Sequence, residues 1–268
     1  MSHAVLARML RLLQYTFCIL VALFLVVPIL AIIPISFSSA GFLSYPLPGL
    51  SLQWYAKVFA PRPWMPALWN SIQIGIGATV IATVLGTLAA LGLSRGDLPW
   101  RSGLLALLIS PMIVPVVISG LGIYFLFAQL GLVATYAGMI LAHAVLGAPF
   151  VVITVAATLR QFDHTLVKAA YNLGASPARA FLTVTLPLIA PGVISGALFA
   201  FVFSFDEVVI SLFIAGPAQR TLPRQMFDGI RDNIDPSILA MSTLLVGVSV
   251  AMLVSVGLLS RRTPGKTD

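Results

Sequence analysis

The sequence predicts an all-α membrane protein with a bundle of six transmembrane helices, and three observations predict it. The chain of 268 residues is 59% hydrophobic and only 9% charged, against roughly 25% charged in an ordinary soluble domain. Its mean hydropathy is +1.05, and a water-soluble globule could not hide so much apolar side chain behind so little charge. The apolar residues also gather into runs of about 20, the length a helix needs to cross a bilayer core. Prolines and glycines fall among those runs, where membrane helices tolerate them, and so do not mark disorder.

The first run, Leu12–Ser36, follows Arg8 and Arg11 as a secretory signal would. It exceeds the roughly 7–15 apolar residues of a signal core, and five more runs follow, so it reads as a retained anchor. It holds Cys18, the single cysteine, which excludes an intramolecular disulfide and reads as a small buried hydrophobe. The second run is Leu68–Ser94. The third, Ser102–Phe127, is broken by Pro111 and Pro115. The fourth is Val133–Leu159, the fifth Pro187–Ala215 and the sixth Ser237–Ser260. Between the first two, Gly41–Pro66 carries Tyr45, Trp54, Tyr55 and Trp64, which suit a membrane–water interface or packing against neighbouring helices. A short helix is expected around Leu52–Phe59.

The net charge of +7 does not point to nucleic acid, because the basic residues flank apolar runs and form no continuous stripe. They set the orientation instead. One side collects Arg8, Arg11, Arg95, Arg101, Arg160, Lys168, Arg179, Arg261, Arg262 and Lys266; the other has Lys57, Arg62, Arg220, Arg224 and Arg231. Both termini, and the loop from Arg160 to Leu186, are therefore expected in the cytoplasm.

That loop is long for a helix bundle, and long loops are usually functional. It has helical grammar. Leu166, Ala169, Ala170 and Leu173 recur at helical spacing over His164–Leu173. Gly174 supplies a stop, and Ser176-Pro177 supplies an N-cap followed by proline in the first helical position. A second short helix from Pro177 to about Val184 then runs to Pro187, which opens the fifth span. Two short helices hinged at a glycine make a compact cytoplasmic knob.

Polar residues at membrane depth are few. Gly265-Lys266-Thr267 imitates the end of a phosphate-binding loop, but the glycine the motif needs five residues before Gly265 is Ser260. Nucleotide chemistry is therefore expected on another subunit. His3, His143 and His164 lack metal-ligand spacing. For His143, inside the fourth span, an interhelical hydrogen bond is favoured over a functional role. Asp206 and Glu207, the chain's only glutamate, fall within the fifth span after Phe203 and Ser204. Facing an interior cavity, this acidic pair would attract a passing cation; alternatively, it hydrogen-bonds helix ends or a partner subunit.

The knob carries a signature. Ala169-Ala170-Tyr171-Asn172-Leu173-Gly174, nine residues, then Val184-Thr185-Leu186-Pro187 resembles the EAA loop of ABC-importer membrane subunits. Lys168 stands where that pattern usually has glutamate, so a salt bridge made by that glutamate does not carry over. Asn70-Ser71, Gly86, Ala89-Ala90, His143, Pro149-Phe150 and Ser204 through Val209 to Gly216-Pro217 are similar to the spermidine/putrescine permease branch. The resemblance implies a bundle of the type I ABC importer kind, in a bacterial inner membrane. Its partners would be a second permease, homologous or identical, two cytoplasmic ATP-binding subunits carrying ATP and Mg, and a periplasmic or lipid-anchored substrate-binding protein. No cofactor would be bound by this chain, and it would not be an enzyme.

On that reading the loop docks on the ATPase and transmits its closure as a rigid body. The coupling residues would be Lys168, Ala169, Ala170, Gly174, Ala175, Ser176, Pro177, Arg179, Leu186 and Pro187. The substrate path would hold Asp206, Glu207, Phe203 and Ser204, and the solute would be a polyamine, with ferric iron, an opine or a phosphonate as alternatives. An ion-coupled secondary transporter would need broken helices in both halves, and only the third span shows one. An intramembrane hydrolase would have to rely on His143 with Asp206.

Overall fold

The computed structural model describes residues 3–61, 63–94, 99–232, 234 and 236–261. In chain order the helices are α1 (His3–Ser36), α2 (Gln53–Phe59), α3 (Trp64–Ser94), α4 (Arg101–Ile113), α5 (Val116–Gln129) and α6 (Tyr136–Leu159). They continue as α7 (Thr165–Asn172), α8 (Pro177–Ala180), α9 (Leu186–Asp206), α10 (Val209–Ile214), α11 (Leu222–Asp232) and α12 (Ser237–Arg261). There is no strand among the described residues. Arg62, Arg95, Arg262, Lys266 and the Gly265-Lys266-Thr267 tail lie outside them.

Four continuous helical stretches are long and apolar enough to cross a bilayer: Arg8–Ser36, Trp64–Ser94, Tyr136–Leu159 and Pro177–Asp206. The third expected span is a bent pair, α4 and α5, turned by 101° at the break. Of its two prolines, Pro111 stays inside α4, while Pro115 makes the break. Its ring drives Val114 out of the helical region, to ψ 133°, and its nitrogen has no hydrogen to donate. The fifth span is also broken, contrary to the continuous Pro187–Ala215 expected: α9 stops at Asp206 and α10 starts at Val209. Asp206 and Glu207 thus end a helix rather than lie inside one. The sixth span corresponds to α12, apolar over Ser237–Ala251.

The chain divides into two compact units, Met1–Met65 with Asp228–Asp268 and Pro66–Phe227. In the first, α1 packs along α12, and none of its apolar stretch is buried. Cys18 is accordingly exposed, not buried as expected. The expected helix near Leu52 is α2. Trp54 donates its indole hydrogen to the Ser38 carbonyl (2.7 Å), the Tyr55 hydroxyl pairs with that of Ser36 (2.7 Å), and Trp64 donates to the Ser237 hydroxyl (3.2 Å). These three aromatics pack within the unit, whereas Tyr45 is 84% exposed.

The second unit is built on the close approach of α3, α6 and α9, made possible by small residues one turn apart. Gly192, Gly196 and Ala200 form the stripe on α9, and a Cβ at Gly196 would stand 2.8 Å from the Val151 Cα. A Cβ at Gly86 would meet the Val151 side chain at 2.8 Å, and one at Gly147 would lie 3.2 Å from Ala200 and 3.6 Å from Ala82. Helices this close leave room for no side chain beyond hydrogen at Gly86, Gly192 and Gly196, while at Gly147 a Cβ would be a tight fit.

Candidate functional site

Two features stand out in the second unit: an elbow between α6 and α9, and the broken end of α9. The elbow begins where the Asp163 carboxylate accepts the Thr165 amide hydrogen at 2.9 Å. Hydrogen bonding from Thr165, side chain first and backbone second, with a contribution from His164, holds the Asp163 carboxyl below the usual carboxylate range. At the other end of α7, Gly174 takes φ +82°, the left-handed conformation that glycine adopts without a Cβ penalty. This lets the Gly174 and Ala175 amides turn back onto the carbonyls of Tyr171 (2.9 Å) and Ala170 (3.0 Å). Ser176 then caps α8, accepting the Arg179 amide at 3.4 Å, with Pro177 at the start of the helix.

The second elbow helix, expected to end at about Val184, does not stop before Pro187. It passes through one π turn, Phe181–Thr185, directly into α9, giving an uninterrupted 30-residue helix from Pro177 to Asp206. The reason is local: Pro187 offers no hydrogen to the carbonyl four residues back and crowds it. A wider turn relieves both without ending the helix.

The elbow surface is open. Lys168, Ala169, Gly174, Ser176, Pro177, Arg179 and Pro187 are exposed; Ala170, Ala175 and Leu186 are half-buried. The apolar side chains of the elbow are largely exposed: Leu173 is 89% accessible, with Leu166, Tyr171 and Leu182 also open. Sequence reasoning missed Tyr171, Leu173 and Leu182. An apolar face on a loop helix with too little chain around it to cover that face was the available signal. Behind the elbow lies a cavity of about 350 Å³ lined by Leu159, Phe162, Val167, Tyr171, Pro177 and Phe181, among others.

At the far end of α9, the acidic pair splits. Glu207 is buried, and its Oε1 accepts the amide hydrogens of Val209 (2.6 Å) and Ile210 (3.0 Å) at the start of α10. Asp206 is exposed. The other end of α10 is held by Arg224, whose guanidinium donates to the Ser211 (2.7 Å) and Ala215 carbonyls. Negative charge at the first turn and positive charge at the last both suit the helix dipole. The chain beyond is strapped to α3 and α6. Asn70 donates to the carbonyls of Ala218 (2.8 Å) and Arg220 (2.9 Å), Tyr136 donates to Asn70 (2.8 Å), and the Leu222 amide donates to Ser71 (2.8 Å).

Ser204 and Phe203 turn to α6. His143 Nδ1 lies 2.9 Å from the Ser204 hydroxyl, the interhelical bond favoured for this histidine, and its partner is Ser204 rather than Asp206. The Phe203 ring packs on Phe150, with centroids 5.3 Å apart.

Comparison with known proteins places this geometry. The putrescine transport system permease protein PotI of Escherichia coli K12 is 35% identical over 84% of this chain and 82% of its own. The spermidine/putrescine transport system permease protein PotC of Haemophilus influenzae is 30% identical over 93% and 97%. A molybdenum transport system permease protein, ModB of Mycobacterium bovis, is 31% identical over 85% and 92%. Among solved structures, a bacterial ABC transporter that imports the acidic polysaccharide alginate superposes with a TM-score of 0.75 at 15% identity. It covers 98% of this chain and 99% of its own, which shows the type I importer permease fold. Residues 82–264 match the model of a single family, and the chain therefore belongs to the binding-protein-dependent transport system inner membrane components, permease subunits that work with ATPase and substrate-binding partners.

Proposed function

We propose that this chain is one of two permease subunits of an ATP-driven importer of polyamines such as spermidine or putrescine. The second permease is a homologous or identical copy. Two cytoplasmic subunits carry ATP and Mg, a periplasmic or lipid-anchored binding protein delivers the solute, and both termini and the elbow lie in the cytoplasm. The observation that carries the reading is the unbroken helix from Pro177 to Asp206. At 1.5 Å per residue it is roughly 45 Å long, a stiff lever with an exposed apolar elbow at one end and a carboxylate at the other. An ATPase gripping Leu173, Tyr171 and the Ala175–Arg179 tip would tilt α9 as one body.

Polyamine as cargo is supported by the relatives' names and by exposed Asp206, whose charge suits a cation. The molybdenum relative favours a second reading, in which the same machine carries another solute. Reconstitution with cognate ATPase and binding protein separates them. We expect ATP-dependent uptake of radiolabelled putrescine or spermidine that molybdate does not compete. Uptake driven by an ion gradient without ATP would overturn the importer reading; ATP-dependent molybdate uptake in place of polyamine would overturn the cargo.

A further inference from the structure

The face of α3 that carries Thr79, Thr83 and Thr87 has no role in the elbow or at the end of α9. The three residues are one turn apart, so their hydroxyls run along one side of the helix for about 12 Å. All three hydroxyl oxygens are shut off from solvent and lack a hydrogen-bond partner. A helical threonine normally satisfies itself on the carbonyl of the preceding turn. Thr154 and Thr158 on α6 do so, at 3.0 Å each. On α3 three in succession do not.

A fourth orphan shares this region. Ala82, Gly147 and Ala200 meet at one level of the α3–α6–α9 junction. One turn away on each helix are Thr79, His143 and Ser204. His143 is 1% exposed, and its Nε2 is also buried without a partner. Buried polar groups left unpaired oppose the state that buries them. Lipid contact does not explain them either, because the atoms are covered by protein.

We infer that the Thr79–Thr83–Thr87 face of α3 becomes a water-lined wall of the solute passage when the permease changes state. A row of hydroxyls can accept hydrogen bonds from the ammonium groups of a moving cation without holding it as a second carboxylate would. The inference about the cation rests on the polyamine reading; the inference about exposure does not.

The test uses the assembled importer in membranes with Cys18→Ser, so that each introduced thiol is the only one in this chain, and labelling is read on this chain after the subunits are separated. Thr79→Cys, Thr83→Cys and Thr87→Cys are probed with a charged, membrane-impermeant methanethiosulfonate, from either side, in resting and vanadate-trapped complexes. Ala82→Cys, on the packed side of α3, is the control. We expect all three positions to react at least tenfold faster in one state than in the other while Ala82→Cys stays silent. No reaction at the three positions in either state, or equal reaction at Ala82→Cys, overturns the inference. The near-isosteric Thr79→Val/Thr83→Val/Thr87→Val variant, checked for assembly by co-purification of the ATPase, should lose at least threefold in polyamine uptake; uptake at the wild-type rate overturns the solvating role. If the unmodified complex takes up no polyamine, the cargo reading fails while thiol labelling still decides whether this face lines the passage.

Discussion

The Glu207 carboxylate stands 2.6 Å from the Val209 amide nitrogen, close enough to act as the cap of the short helix that follows the break in α9. Such a charge-assisted bond is among the stronger kinds, and loss of a cap costs about 0.5–2 kcal/mol. Glu207→Ala should therefore lower the thermal stability of the detergent-purified complex, and Glu207→Gln, which keeps an acceptor oxygen, should lower it less. Equal losses would show that the geometry of the bond does not matter, and the capping role would fall.

The pairing of His143 with Ser204 gives a second prediction through an asymmetry. Ser204→Ala leaves a buried imidazole with neither nitrogen bonded and should cost about 1–3 kcal/mol. Replacing both partners by apolar groups of similar size removes the unpaired donor and acceptor together. The His143→Leu/Ser204→Ala double variant should therefore melt closer to wild type than Ser204→Ala alone. A double variant less stable than the single one would mean the histidine is held by something other than this bond.

Gly174 offers a test that separates backbone from packing. Its φ of +82° is unfavourable for most side chains, yet nothing lies within 4 Å of where its Cβ would be. Bulk by itself has room; conformation is the constraint. Gly174→Val should abolish transport with the complex still in the membrane, whereas Gly174→Asn, which tolerates the left-handed region, should retain a large part of it. Uptake assays on the two variants at matched membrane levels decide this, and normal transport by the valine variant would remove the elbow as the coupling element.

Much of this was legible in the sequence because its signals are local. Apolar run length gave the spans, and Gly174 with Ser176-Pro177 gave the hinge, since capping chemistry is read over three or four residues. What escaped is set by tertiary context. Nothing in the Pro177–Pro187 spacing says that a helix will widen into a π turn and pass through a proline that ordinarily opens a helix. Nothing in Phe205-Asp206-Glu207-Val208 says that one carboxylate folds back onto the next two amides while its neighbour stays open; adjacent apolar residues made the pair look embedded. The exposure of Leu173 escapes as well, because periodicity reports amphipathicity and not which surface covers it.

That division of the acidic pair sharpens the last prediction. Glu207 is already engaged by Val209 and Ile210, whereas exposed Asp206 makes no side-chain hydrogen bond among the described residues. If a cation is drawn along α9, Asp206 is the carboxylate free to draw it. Asp206→Asn removes the charge while keeping size and polarity, and nothing in the capping of α10 depends on it. Polyamine uptake should fall roughly tenfold, the effect of losing about 1.4 kcal/mol of attraction, while co-purification of the ATPase and the melting temperature stay at wild-type values. Raising the salt should narrow the gap between variant and wild type, because attraction at an exposed site is screened. A variant that transports normally at low salt would show that the cation does not pass this residue, and would shift the search for the path to α3.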